Sequence, residues 1–377
     1  MSTLLAIIVA NTPLNKIYQY IFSGVNLIGE FNLHMIINDF LMAIFFLLAG
    51  CEIKHEVLHG HLSTVKKATF PVMSACGGVI IPACIYFLFN HNTKFVGGIG
   101  IPISTDIAFA VGIFMLLKNK LEPSLKIFLL SLAVVDDLIS ILVIGTFYSS
   151  NLSVKWIIGS LIIVCILAYM NKKLKISDSY PYLLLGLVLW YFVYRSGIHS
   201  TISGVLLAIV IPAKSYGGRK PLLERLQEKI APICNFFILP LFAFSNTAIK
   251  LGVKINYAEL GTMVHGIIVG LVVGKPLGIM SFSYIGTKLH IIEKPENCSW
   301  ISLLQVAMLA GIGFTMSIFV AEIAFVSNAQ LIDTAKISIL LAAVLSASLT
   351  YITTLVKPLF HKKPQFKHAH ALIGKLR

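Results

Sequence analysis

From residue 33 to residue 356 the sequence is a succession of apolar runs, most of them near the length a bilayer demands of a helix. They cover 33–57, 69–90, 95–117, 123–148, 155–171, 180–194, 197–212, 231–249, 262–286, 302–326 and 332–356. A further run at 2–11 is too short to cross alone, and the run at 180–194 is also short, with Ser196-Gly197 before the next. About 20 apolar residues in a helix span the hydrocarbon core. Inside lipid every backbone group must be satisfied within the protein, which makes helices the expected element. Only 12% of the 377 residues are charged, against about 25% in soluble domains. The expected fold is therefore an all-α polytopic membrane protein with about 12 transmembrane helices. A single transmembrane domain occupies 1–356, followed by a basic tail at 357–377.

The net charge of +14 does not point to nucleic acid. The basic residues lie in loops between apolar runs, without the interleaved aromatics of a nucleic-acid face. With a cytoplasmic N-terminus and every run crossing, 22 of the 30 Lys and Arg face the cytoplasm and six face outward. That split follows the positive-inside rule and puts both termini in the cytoplasm. The tail is topological in character, with anionic lipid as a contact. Six cysteines are scattered, mostly within apolar runs, without disulfide or metal spacing. Residues 1–10 lack the basic region and cleavage site of a signal peptide.

Two runs are poor continuous helices. The centre of 95–117 reads Gly97-Gly98-Ile99-Gly100-Ile101-Pro102-Ile103-Ser104-Thr105-Asp106, and that of 302–326 reads Leu309-Ala310-Gly311-Ile312-Gly313-Phe314-Thr315. Proline removes a backbone donor and clustered glycine weakens a helix. Each is the second of three runs, in 69–148 and in 262–356, and the expected orientation sets these triplets in opposite senses. Interrupted helices at matching places in inverted repeats point to a transport site. The plainer reading is glycine that lets helices pack closely.

Four ionisable residues fall near run centres: Asp106, Asp136, Asp137 and Lys275. A charged Asp at the bilayer centre costs roughly 2.5–3.5 kcal/mol even on the lenient insertion scale. Two adjacent aspartates therefore call for a physical reason, and a site for cations or protons is the default one. Neighbouring helix residues point about 100° apart, so one aspartate can face Lys275 and the other a watery route. A carboxylate buried beside a like charge holds its proton more readily than one in water. It can then trade that proton for a small hard cation, which takes oxygen ligands. Asp137, Asp136 and the Thr105 hydroxyl would supply them. Broken half-helices leave partial charges in the membrane; Asp106 can offset the positive ends and Lys275 the negative ones. A purely structural Asp136–Lys275 pair remains open, but it leaves Asp137 unexplained.

A second cluster, Glu52, His55 and Glu56, closes the run 33–57 at its cytoplasmic end. It reads either as a solvated helix end or as an ion-attracting mouth whose protonation reports pH. His199 suits a packing role as well as a sensing one, and Glu322 has no assigned role.

Several stretches together resemble the NhaA family of bacterial sodium/proton antiporters. They are Ile37-Asn-Asp-Phe-Leu-Met-Ala-Ile-Phe-Phe-Leu-Leu-Ala-Gly50, Ser104-Thr-Asp-Ile-Ala-Phe-Ala110, Leu132-Ala-Val-Val-Asp-Asp-Leu138, Leu239-Pro-Leu-Phe-Ala-Phe-Ser-Asn246, Gly274-Lys-Pro-Leu-Gly278 and Gly311-Ile-Gly-Phe-Thr-Met-Ser-Ile-Phe319. The resemblance runs from about residue 33 to 356. It implies crossed, interrupted helices in a twelve-helix fold, in a multi-pass protein of the bacterial inner membrane. It also implies electrogenic, pH-regulated exchange of cytoplasmic Na+ or Li+ for external protons. By matching position, Asp137 is the ion- and proton-binding carboxylate, and Asp136 is the second one, paired with Lys275. Thr105 and Asp106 lie at the helix crossing, and Glu52 and Glu56 form the acidic mouth. His55 stands where the family has an arginine, and Gln227 where it has an acidic residue; both departures bear on the pH set-point.

The expected partners are small cations, protons and the bilayer, with a homodimer as the candidate assembly, and no cofactor beyond the transported ions. Two other classes compete with this reading. An intramembrane aspartyl protease would use Asp106 with a partner on the run 123–148; it needs two facing carboxylates that share a proton, which adjacent Asp136 and Asp137 cannot form and a buried Lys275 would disrupt. A passive cation channel would conduct without coupling to protons.

Overall fold

The computed structural model describes residues 1–360 except 30, 61, 118–120, 123, 150, 216–219, 251–256, 295–297 and 327. Most of the tail expected at 357–377 lies outside the described residues. Helix α1 (Ser2–Ala10) is followed by a short helix, Asn15–Gln19, and an antiparallel hairpin of β1 (Asn26–Ile28) and β2 (Phe31–Asn32). Then come α2 (Leu33–Leu58), α3 (Val65–Asn90), a tightly wound 3-10 stretch (Val96–Ile103) and α4 (Ile107–Leu116). The middle of the chain forms α5 (Ser124–Phe147), α6 (Val154–Lys172), α7 (Ser179–Arg195), α8 (Ile202–Val210) and α9 (Leu222–Asn246). The last third forms α10 (Leu260–Lys288), α11 (Trp300–Ala310), α12 (Phe314–Ala324) and α13 (Ala329–Phe360).

Among the described residues, eight helices are long and apolar enough to cross a membrane, or nine if the bent pair α11–α12 counts as one span. Of the runs expected to cross, α1 and α8 have nine residues each and α7 has 17. Nine helical residues rise only about 14 Å, less than half the hydrocarbon core. The hairpin was not expected from hydropathy. Helix α9 also starts earlier than the run at 231–249. Its first part buries Leu222, Leu223, Leu226 and Ile230 and turns Glu228 and Lys229 outward, a one-sided pattern that averages away in a hydropathy window. Helix starts follow local capping chemistry: Asn32 accepts from Met35 N at α2, and Ser299 from Ser302 N at α11.

Large apolar side chains remain on the outside: Leu116, Phe147, Val154, Phe236 and Val344 are all exposed. Water would disfavour such a surface, whereas lipid covers it at no loss. Inside, α3 and α10 pack antiparallel along their length. Ser74 and Ser283 hydroxyls meet at 2.7 Å near one end, and Asn90 Nδ2 donates to Thr262 O at 3.2 Å near the other. At the middle, Gly77 and Gly278 face each other so closely that a Cβ on either would strike the other's backbone. Small residues permit this approach, which dispersion between helices in lipid requires.

Candidate functional site

The two interrupted runs meet at their breaks. Helical winding stops after Ile103, and Ser104, Thr105 and Asp106 are extended before α4 begins. Residues 311–313 separate α11 from α12, whose axes are bent by 43°. The strands of backbone between the half-helices touch: Asp106 N donates to Ile312 O at 2.8 Å. Ser317 Oγ donates to Ile101 O at 2.7 Å. Backbone left unpaired by a broken helix must find partners when buried, and here each break supplies them to the other.

Asp106 serves two helix starts at once. Its Oδ1 accepts from Phe109 N at 2.9 Å, the first turn of α4. Its Oδ2 accepts from Thr315 N at 3.0 Å and from the Thr315 hydroxyl, the first turn of α12. Both are positive dipole ends. The opposite charge sits at the other pole of the crossing. Lys275 Nζ donates to Ile103 O, the end of the 3-10 stretch. Nζ also lies 2.9 Å from Asp136 Oδ2, with both side chains fully buried. Lys275 comes into reach because α10 presses onto α3 beside the break.

Thr105 links the parts. Its hydroxyl is 2.7 Å from Asp136 Oδ2 and 2.9 Å from Ala310 O. A hydroxyl has one proton, so it serves one acceptor at a time. The adjacent aspartates of α5 separate as the helical step requires. Asp136 turns to Lys275 and Thr105, and Asp137 lines a cavity. Asp136 Oδ1 and Asp137 Oδ1 are both buried without a hydrogen-bond partner.

That cavity encloses about 570 Å³. It is lined by Asp137, Thr105, Asp106 and Thr315 at the crossing, and by Glu52, His55 and Glu56 on α2. All eight residues singled out from the sequence thus converge: six line one cavity, and Asp136 and Lys275 sit directly behind it. Gln227 and Asn235 of α9 line it too. Among the described residues no group of three His, Cys, Asp or Glu side chains converges as a metal site. A cation here would meet one or two carboxylates plus hydroxyl, carbonyl or water oxygens, which suits a weakly held hard ion.

A second cavity of about 930 Å³ lies along the other half of α2, lined by His34, Asn38, Asp39, His199 and Glu322 among others. It shares no lining residue with the first. Phe319, fully buried, lines it and packs against Phe46 at 5.6 Å and Phe242 at 6.2 Å between ring centres. His199 stacks edge-on against Phe319 and contacts the Thr201 hydroxyl at 3.2 Å. Glu322, left without a role by sequence, pairs with Lys336 of α13 at 2.6 Å. Thr315 and Asn235 were missed by sequence reasoning. Thr315 carried a signal, since it stands two residues after Gly313 at the start of a half-helix.

The sequence profile of the family described as Na+/H+ antiporter 1 matches residues 1–354. A Na(+)/H(+) antiporter NhaA of Helicobacter pylori is 42% identical, covering 92% of this chain and 89% of that protein. Na(+)/H(+) antiporter NhaA 2 of Aliarcobacter butzleri is 41% identical over 94% of this chain and 92% of its own. The solved structure of the sodium proton antiporter MjNhaP1 from Methanocaldococcus jannaschii shares the fold, with TM-score 0.54 and 17% identity, covering 94% of this chain and 91% of that one. With nearly its whole length matched by the family profile and by relatives above 40% identity, the chain belongs to the Na+/H+ antiporter 1 family.

Proposed function

We propose that the protein is a secondary antiporter that exchanges Na+ or Li+ for protons by alternating access, with Asp137 as the carboxylate on which they compete. The observation that carries this is Asp137 itself. It stands halfway along an apolar helix, has an oxygen without a partner, and lines a cavity that Glu52 and Glu56 line as well. Such a position is costly for a structural aspartate and useful for one that takes turns with two cations.

Deprotonated Asp137 attracts a cation through the Glu52–Glu56 mouth. Asp136 follows: while Lys275 and Thr105 hold its Oδ2, its Oδ1 is free to join the ion or to take a proton. Competition for the same oxygens couples the two fluxes, and two protons per cation make the cycle electrogenic. The first cavity reaches Glu52 and Glu56 and shares no lining residue with the second, whose lining Phe319 packs against Phe46 and Phe242. The bias of Lys and Arg supports a cytoplasmic Glu52 side, cytoplasmic termini and a bacterial inner-membrane setting. His55 and Glu56 at the mouth are the proposed source of pH regulation. The triplets 69–148 and 262–356 are proposed as inverted repeats; the mutual Gly77–Gly278 contact and the mutual contact of the two breaks support a two-fold relation. A homodimer is the proposed assembly. Neither alternative class finds support: Asp136 is committed to a lysine rather than to a facing carboxylate, and the two cavities share no lining residue, where a passive pore would run through.

The experiment is Na+-dependent proton movement in everted vesicles. Asp137→Asn keeps the shape and removes the charge, and exchange falls to background while the protein still reaches the membrane. Normal exchange in that variant overturns the assignment.

A further inference from the structure

The cluster at the end of α2 reads Glu52-Ile-Lys54-His55-Glu56, and one member has no place in the ion route. Lys54 does not line the cavity. It turns the other way, to α8. Its Nζ donates to three backbone carbonyls at the end of that helix: Ile211 O at 2.5 Å, Ile209 O at 2.6 Å and Ala208 O at 3.2 Å. These are groups that a helix end leaves without intrahelical donors, and a cation there also meets the negative dipole end. The fit takes up the whole donor capacity of an ammonium group.

The same two helices are joined at their other ends. Ser200 Oγ, just ahead of α8, donates to Asp39 Oδ1 on α2 at 2.6 Å. Between the two ties, Gly204 of α8 lies against the backbone of Ala43 and Leu47, where any Cβ would collide. Helix α8 has only nine residues, too few to hold its own place in a membrane. It is held against α2 by a carboxylate near its start, a lysine at its end and backbone contact in the middle.

We propose that Lys54 is a positioning residue: by capping α8 it fixes the end of α2, and so the depth at which Glu52 and Glu56 stand in the cavity leading to Asp137. Glu52 and Glu56 flank Lys54 on α2, two residues to either side, so a shift of the lysine's turn moves both. This inference rests on the antiport reading of that cavity. It gives the cluster a division of labour, with the acids facing the ion and the base facing the neighbouring helix.

The sign of the effect separates this from simple charge. If Lys54 acted only as a positive charge near the mouth, its removal would favour cations and lower the KM for Na+. If it positions the acids, removal raises the KM while the maximal rate at saturating Na+ holds. The test is initial-rate exchange in proteoliposomes across a Na+ series for wild type, Lys54→Met, Lys54→Gln and Lys54→Arg. Met and Gln raise the KM about fivefold, the order that loss of a hydrogen-bonded cation at a helix end supports. Arg, which keeps the charge and the donors, restores it to within about twofold. In parallel, hydrogen–deuterium exchange of residues 202–215 is faster in Met and Gln, because the end of α8 frays. A KM unchanged or lowered overturns the proposal, whether or not the exchange protection changes. Having two neutral variants keeps the comparison intact if one fails to reach the membrane. Absence of Na+-dependent proton movement in wild type would instead strike the antiport reading, and the hydrogen-exchange result would still report on the cap.

Discussion

Asp106 is the residue whose removal tests the architecture of the crossing most directly. Its carboxylate accepts from Phe109 N, Thr315 N and the Thr315 hydroxyl. Asp106→Ala leaves three donors without an acceptor at two helix starts. A buried donor deprived of its partner costs about 1–3 kcal/mol, and loss of a helix cap alone costs about 1 kcal/mol. Full burial of all three would put the sum near 3–9 kcal/mol. Asp106 and Thr315 line the first cavity, however, so water can take over part of the work. A net loss of about 2–4 kcal/mol results. Asp106→Asn keeps one carbonyl oxygen, enough for Phe109 N, but sets an amide NH2 against Thr315 N. About half of the loss, 1–2 kcal/mol, is expected there. If the negative charge rather than the hydrogen bonds held the half-helices, Asn and Ala would lose equally. The assay is thermal unfolding of purified protein in detergent. For a chain of this length about 1–2 °C per kcal/mol applies, so Ala should melt about 2–8 °C lower and Asn about half as far. An Ala variant melting within about 1 °C of wild type would refute the claim that this carboxylate holds the two helix starts together.

Lys275→Met strands Asp136 without its counter-ion and leaves Ile103 O uncapped, a loss of about 3–5 kcal/mol for a broken buried pair. The double variant Lys275→Met with Asp136→Leu should recover much of that loss in thermal unfolding while abolishing exchange; a double variant as unstable as the single one would refute the pairing. At the α3–α10 contact, Gly278→Val forces the two backbones apart and should lower the melting temperature or prevent membrane insertion. An overpacked site costs about 1–3 kcal/mol, and a stably folded variant with unchanged melting would show that the close approach is not needed.

How much of this was legible in the sequence depends on the range of the interaction concerned. Asp136 and Asp137 announced themselves because a charge in an apolar run is anomalous whatever surrounds it. The breaks at 104–106 and 311–313 were legible from Pro102 and the glycines, which act on their own backbone. The helical step of about 100° already required the two aspartates to part company. The start of α9 at Leu222 was missed, because a half-charged amphipathic turn and an apolar run average differently in one window. Glu322 was left without a role because its partner, Lys336, lies on another helix.

Hydropathy and local chain chemistry by themselves determined that this protein crosses a membrane as helices, where two of those helices fail, and which ionisable groups need a reason to be in lipid. They could not determine which carbonyl Lys54 and Lys275 would reach, that one aspartate would cap two helices, or that Glu52 and Asp137 would share a cavity. Those facts involve residues as far apart as Ile103 and Lys275, or Asp106 and Thr315. Pattern in a sequence reports the interaction of a residue with its own segment and its solvent. Which segments meet is decided only when all of them pack at once, at contacts such as Gly77 against Gly278, where backbones close to contact set the register of everything that hangs from them.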